Sequence, residues 1–194
     1  MSGPTTWNRK GMFENAVLRN MIVKPMLKEW KVDPLGQEPL PDIEMMRNVA
    51  KDSLVVGRLR NSVLEVMEFQ GYEEGSWFYK GAKMCLMWPL WHAAFPRAKW
   101  IIVRRDLPGI VNSCMKTSFM RKRNSVESWT EWVRIHEQRF VEMREAGLDI
   151  YEVSSNKLLN GEMEEFMGAI KTYLRLCWNE ERVNEFIEPA LFHK

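Results

Sequence analysis

Apolar residues along the chain follow two periodicities, one helical and one extended, and the changes between them mark out the elements. Residues 15–30 place Val17, Met21, Ile22, Met26 and Leu27 on one helical face, with Pro25 expected to kink or end the helix. Residues 31–42 carry Pro34, Gly36, Pro39 and Pro41 and read as a loop. Residues 43–69 read as one long amphipathic helix, with Val49, Leu54, Val56, Leu59, Val63, Leu64 and Met67 on its apolar side and Gly71 to Gly75 stopping it. Trp77-Phe78-Tyr79 reads as a short aromatic strand ending at Lys80, and residues 82–95 return to a helical pattern despite Pro89. Residues 99–103 form a second strand, apolar on both faces as covered parallel strands are. Pro108 sits where the first turn of a helix tolerates proline. A helix over 125–146 ends at Gly147, a third strand spans 148–153, and helices over 161–177 and 179–187 close the chain.

Strands alternating with helices predict an α/β fold, a parallel sheet flanked by helices, with ligands beyond the carboxyl ends of the strands. At 194 residues, 45% hydrophobic and 28% charged, the chain reads as one soluble domain spanning 1–194. A net charge of +2 gives no reason to expect specific nucleic-acid binding, so any anion site must be local. The run Arg121-Lys122-Arg123 reads as a solvated loop. Cys85, Cys114 and Cys177 form neither a disulfide framework nor a metal-ligand spacing, which favours a reducing, cytoplasmic setting without a metal. His92, His136 and His193 are equally scattered, and HExxH and GxSxG are absent. Neither a signal peptide nor an apolar run of about 18 residues, the length of a membrane span, is present.

The chemistry concentrates in FPRAKWIIVRRDLPGIVNSCM, residues 95–115. Arg104 and Arg105 end the apolar strand, and Ser113 follows early in the next helix. A strand-turn-helix can bring the Arg105 guanidinium, the Ser113 hydroxyl and the helix-start amides onto one anion. The plainer reading pairs Asp106 with one arginine and leaves Ser113 to solvent, and spacing alone favours neither.

The same stretch resembles the 3′-phosphate-binding strand-loop-helix of sulfotransferases, in which a serine follows the arginine by eight residues. Asp106-Leu107-Pro108 stands where that pattern usually has Asp-Pro. WFYKGAKMCLMWPLW (77–91) is similar to the family's "W-x-x-KDPR" strand end, with Lys80 on its lysine and Lys83 on its arginine. WNRKGMFEN (7–15) resembles the "NPKGFFEN" segment of bacterial and phage-type members, and FIEPALFHK resembles their "FIDPxL" ending.

The resemblance implies a P-loop-NTPase-like sheet and 3′-phosphoadenosine-5′-phosphosulfate as co-substrate, with Arg105 and Ser113 on its 3′-phosphate. Lys80 would be the cation at the bridging oxygen. Ala82 occupies the position of the histidine used by cytosolic members, which excludes that base. Glu14 falls where glutamate-using members carry theirs, although a first-turn acid favoured by the helix dipole is its plainer reading. The family's opening strand and "P-R/K-S-G-T" loop for the 5′-phosphosulfate have no counterpart. SGPTTW (2–7) is a decoy, with no preceding apolar strand and no basic residue at the loop's basic position. By analogy the missing strand would be central. The expectation is therefore a truncated, split or degenerate sulfotransferase-like chain, acting on an unidentified hydroxyl or amine, or completed by a separate N-terminal polypeptide or by self-association. The alternative is a catalytically inactive nucleotide-binding or assembly module. A nucleotide kinase is weaker still, because no GxxxxGK[ST] loop exists.

Overall fold

A computed structural model describes Gly3 and residues 9–191. Most of SGPTTW, the first two residues of WNRKGMFEN, and the terminal Phe192-His193-Lys194 lie outside the described residues. The protein is mixed α/β, 56% helix with a small two-stranded parallel sheet. It divides into two compact units, Met1–Arg97 and Ala98–Lys194.

The first unit is helical. Asn15 Oδ1 accepts from the amides of Val17 (3.1 Å) and Leu18 (3.2 Å), starting a π-helical turn Leu18–Val23 that runs into α1, Lys24–Glu29. Pro25 stands just past the junction of the π-helical turn with α1, inside one continuous helical run, and does not end it. The loop that follows is organised by the buried Asp33, whose carboxylate accepts from the amides of Leu35, Gln37 and Glu38. The long helix expected over 43–69 is two helices: α2, Ile43–Val49, and α3, Ser53–Phe69. Asp52 makes the break, because its side chain accepts from the amides of Leu54 (2.9 Å) and Val55 (3.3 Å) and restarts the helix. Met46 of α2 and Leu59, Val63 and Met67 of α3 are buried, as are Leu86 and Met87 in a 3₁₀ turn and Leu90 and Trp91 in α4, Trp88–Ala94.

The strand expected at Trp77–Tyr79 does not form. The segment is extended and alternates as a strand would, Phe78 73% exposed and its neighbours half-buried, yet among the described residues it pairs with no other strand. Its inward side chains pack on α4 instead: Tyr79 stacks on Trp91 at 5.3 Å, and Trp77 meets Phe95 edge-on at 5.2 Å.

In the second unit, β1 (Trp100–Arg104) pairs in parallel with β2 (Ile150–Ser154), Trp100 opposite Ile150 and Arg104 opposite Ser154. Between them run α5, Leu107–Lys116, and α6, Val126–Glu145. Asp106 N-caps α5, its Oδ2 accepting from the Gly109 amide at 2.8 Å, and Asn156 donates to Oδ1 at 2.6 Å. These two bonds, the Asn156 bond foremost, lower the Asp106 pKa. Ser125 and Ser128 cap α6 reciprocally. Val111 and Cys114 of α5 bury against Trp129 and Val133 of α6.

After β2 come α7 (Ser155–Leu159), α8 (Glu164–Met167), a π-helical turn Gly168–Tyr173 and α9 (Glu180–Phe186). Tyr173 fastens the start of the sheet, its hydroxyl accepting from the Trp100 amide (3.1 Å) and donating to the Asp149 carbonyl (2.5 Å). The expectation that β1 is covered on both faces fails on one of them. Ile102 is buried, but Ile101 and Val103, which share the opposite face, are 36% and 57% exposed.

Candidate functional site

The two arginines at the end of β1 make different contacts. Arg104 bonds Glu137 of α6 at 2.5 Å and Glu152 of β2 at 3.2 Å, and its guanidinium lies 5.1 Å from the centre of the Phe140 ring. It is a clamp between strand and helix. Arg105 reaches across the first turn of α5: a methyl group placed on Gly109 would lie 2.8 Å from Arg105 Nε. Its charge is also felt at Cys114, where it opposes the burial that pushes the thiol pKa up to about 11.

Gly109 and Ser113 are one helical turn apart on the same face of α5. Arg105 therefore lies on the side of the helix that also carries Ser113, which is half-buried. Ser113 is not early in α5 but the seventh of its ten residues, so the hydroxyl stands away from the helix start. A guanidinium fork and a hydroxyl on one helix face are the parts of an anion site that remain. One helix-start amide, that of Gly109, is already held by Asp106. An anion here would thus be bound by side chains more than by the helix end. Gly109 was not among the residues singled out from the sequence. A glycine in a helix costs about 1 kcal/mol relative to alanine, so its position after a helix-starting proline was the available sign of a close approach.

Lys80 and Glu14 belong to the first unit, Arg105 and Ser113 to the second. Lys80 Nζ donates to the Met12 carbonyl at 2.6 Å, which tethers the 77–80 segment beside the segment that carries Glu14. Glu14 pairs with Arg19 at 2.9 Å. The lysine that lines a small cavity with Glu14 is Lys83, together with Arg19, Tyr79 and Trp91. Burial lowers the Lys83 pKa, and Glu14 opposes that shift. Burial, then the Glu14 charge, pushes Tyr79 up to about 12. The resemblance placed Lys83 on a family arginine, but its burial depends on the loop holding Gly36 packing against its stem, which no local pattern signals. Among the described residues, no three His, Cys, Asp or Glu side chains are grouped as metal ligands.

Compared with known protein families, curated proteins and solved structures, the chain matches none.

Proposed function

We propose that the end of β1 and the start of α5 bind the 3′-phosphate of a 3′-phosphoadenosine nucleotide, and that the chain is a sulfotransferase-like protein. The observation that carries this reading is Arg105 lying across Gly109, on the face of α5 where Ser113 follows one turn later. In this reading the two-stranded sheet is part of a larger P-loop-NTPase-like sheet.

The reaction is sulfuryl transfer from 3′-phosphoadenosine-5′-phosphosulfate. The acceptor oxygen or nitrogen attacks sulfur, the bond from sulfur to the bridging oxygen breaks, and the bisphosphate leaves as the acceptor loses its proton. Positioning and charge carry most of such catalysis. Lys80 is assigned to the leaving oxygen and Glu14 to the acceptor proton. Calorimetry tests the nucleotide site. 3′-Phosphoadenosine-5′-phosphate is expected to bind about tenfold or more tightly than adenosine-5′-phosphate, because a charge-assisted contact contributes about 1.5–3 kcal/mol. Equal affinities would overturn the assignment.

A second reading, nucleotide binding without turnover, is favoured by one feature of the first unit. Lys80 Nζ is committed to the Met12 carbonyl, and Glu14 to Arg19. Transfer of labelled sulfate to a panel of hydroxyl and amine acceptors separates the two. Turnover abolished by Lys80→Ala supports the enzyme, and bisphosphate binding without any turnover supports the module.

A further inference from the structure

A cavity of about 160 Å³ in the second unit opens between the end of β1 and α6. A cavity of about 150 Å³ with apolar walls holds benzene, whereas drug-sized ligands need about 300–1,000 Å³. The size suits a single six-membered ring with a small substituent, the substituent lying toward the open side.

The walls suit such a ring. Val103, Ile110 and Val133 line it with aliphatic surface, and Trp132 and Phe140 add aromatic surface. Trp132 is fixed from two sides, edge-on to Trp129 at 5.6 Å and against the His136 ring at 3.9 Å. Phe140 is fixed by the Arg104 guanidinium. Flat side chains held in place lose little freedom on binding.

The charges decide the substituent. Arg104 and Glu137 line the cavity as a pair, and Glu152 is shared between Arg104 and Arg144, so the Arg104 charge is already met by carboxylates. Arg105 also lines the cavity. A guanidinium has five N–H donors, so Arg105 can serve an anion in addition to its partners within the protein. His136 donates from Nδ1 to the Trp132 carbonyl at 2.8 Å, which leaves Nε2 as a neutral acceptor. Burial holds its pKa down at about 4, so it brings no charge to the cavity near neutral pH.

We propose that this cavity is a binding site for a monocyclic aromatic anion, an arene carboxylate, sulfonate or phosphate, with the ring between Trp132 and the aliphatic wall and the anion on Arg105. The site does not depend on the nucleotide reading, but it shares Arg105 with it, so the two ligands should compete.

Ligand-detected NMR and calorimetry on the full chain test this, with benzoate and benzenesulfonate as probes, acetate as the probe without a ring and benzyl alcohol as the probe without a charge. Both aromatic anions are expected to bind, and both controls about tenfold or more weakly. Arg105→Gln and Trp132→Leu should each weaken benzoate by about tenfold, and neither position is fully buried, so folding should survive. Absent benzoate binding, binding that acetate or benzyl alcohol matches, or binding that survives both substitutions overturns the proposal. Benzoate binding by a chain that ignores 3′-phosphoadenosine-5′-phosphate would leave this site standing and remove the nucleotide reading.

Discussion

Arg104 and Arg105 are neighbours in sequence, but the first clamps strand to helix and the second is the cation to which an anion is assigned in the proposals above. Arg104 is held by Glu137 and Glu152, while Arg105 lies over Gly109. That difference makes Gly109 the sharpest test at this scale. In Gly109→Ala the new methyl would stand 2.8 Å from Arg105 Nε and 2.9 Å from the Asp106 carboxylate, so Arg105 and the Asp106 cap must both shift. Alanine is also the better helix former by about 1 kcal/mol. The two effects act on different observables: bisphosphate affinity is expected to fall about tenfold, while the melting temperature holds or changes little. A large loss of stability with unchanged affinity would show that the glycine serves the fold and not the site.

His136 offers a second test. Its pKa is depressed from 6.5 to about 4, chiefly by burial, so the unfolded chain binds its proton at a higher pH than the folded one. Its neutral form stabilises the fold fully above about pH 6.5, and that stability is lost as pH falls from there to about 4. The total is about 3 kcal/mol, at 1.36 kcal/mol per pKa unit. Urea unfolding at pH 7 and pH 4.5 should show most of this loss. His136→Gln should flatten that part of the profile, and an equally steep profile in the variant would assign the loss to other groups.

At the scale of elements, the open face of β1 is the feature with consequences. Parallel sheets are normally covered on both faces, and an unpaired strand edge is a template for another chain. β1 pairs only with β2 among the described residues, and it exposes Ile101 and Val103. The chain is expected to self-associate as concentration rises, and Val103→Lys should reduce that association in light scattering. A monomer at every concentration would mean that the edge needs no partner.

The same elements show what could be read in advance. Both parallel strands, α6 with its Ser125 start, and the strand-turn-helix at Arg105 were legible because each is encoded by local periodicity and capping. The Trp77–Tyr79 strand was not, since alternation marks an extended segment and says nothing of a neighbour to pair with. The split between α2 and α3 turned on Asp52, whose competing side-chain bonds are a local signal that the long apolar stripe outweighed. Lys83 and the Trp132 cavity were hidden for another reason, because burial and enclosure arise only when distant segments pack.

For the whole molecule, no described helix is long and apolar enough to cross a membrane, and the residues assigned to chemistry fall into two units, Lys80 and Glu14 in one and Arg105 and Ser113 in the other. In the proposed reading the 3′-phosphate contacts lie in the second unit alone. Lys80→Ala is expected to leave bisphosphate affinity within about twofold of the wild type, while Arg105→Ala lowers it by about 1.5–3 kcal/mol. Calorimetry on the two variants checks this, and equal losses would tie Lys80 to the nucleotide as closely as Arg105. The most direct measurement is a titration of isotope-labelled full-length protein with 3′-phosphoadenosine-5′-phosphate, followed by NMR. Binding at the assigned site requires the largest shifts at the Arg105 side-chain Nε–H and at the Gly109 and Ser113 amides, with the Lys80 and Glu14 amides little changed. Largest shifts elsewhere, or none, would contradict a 3′-phosphate site at the end of β1.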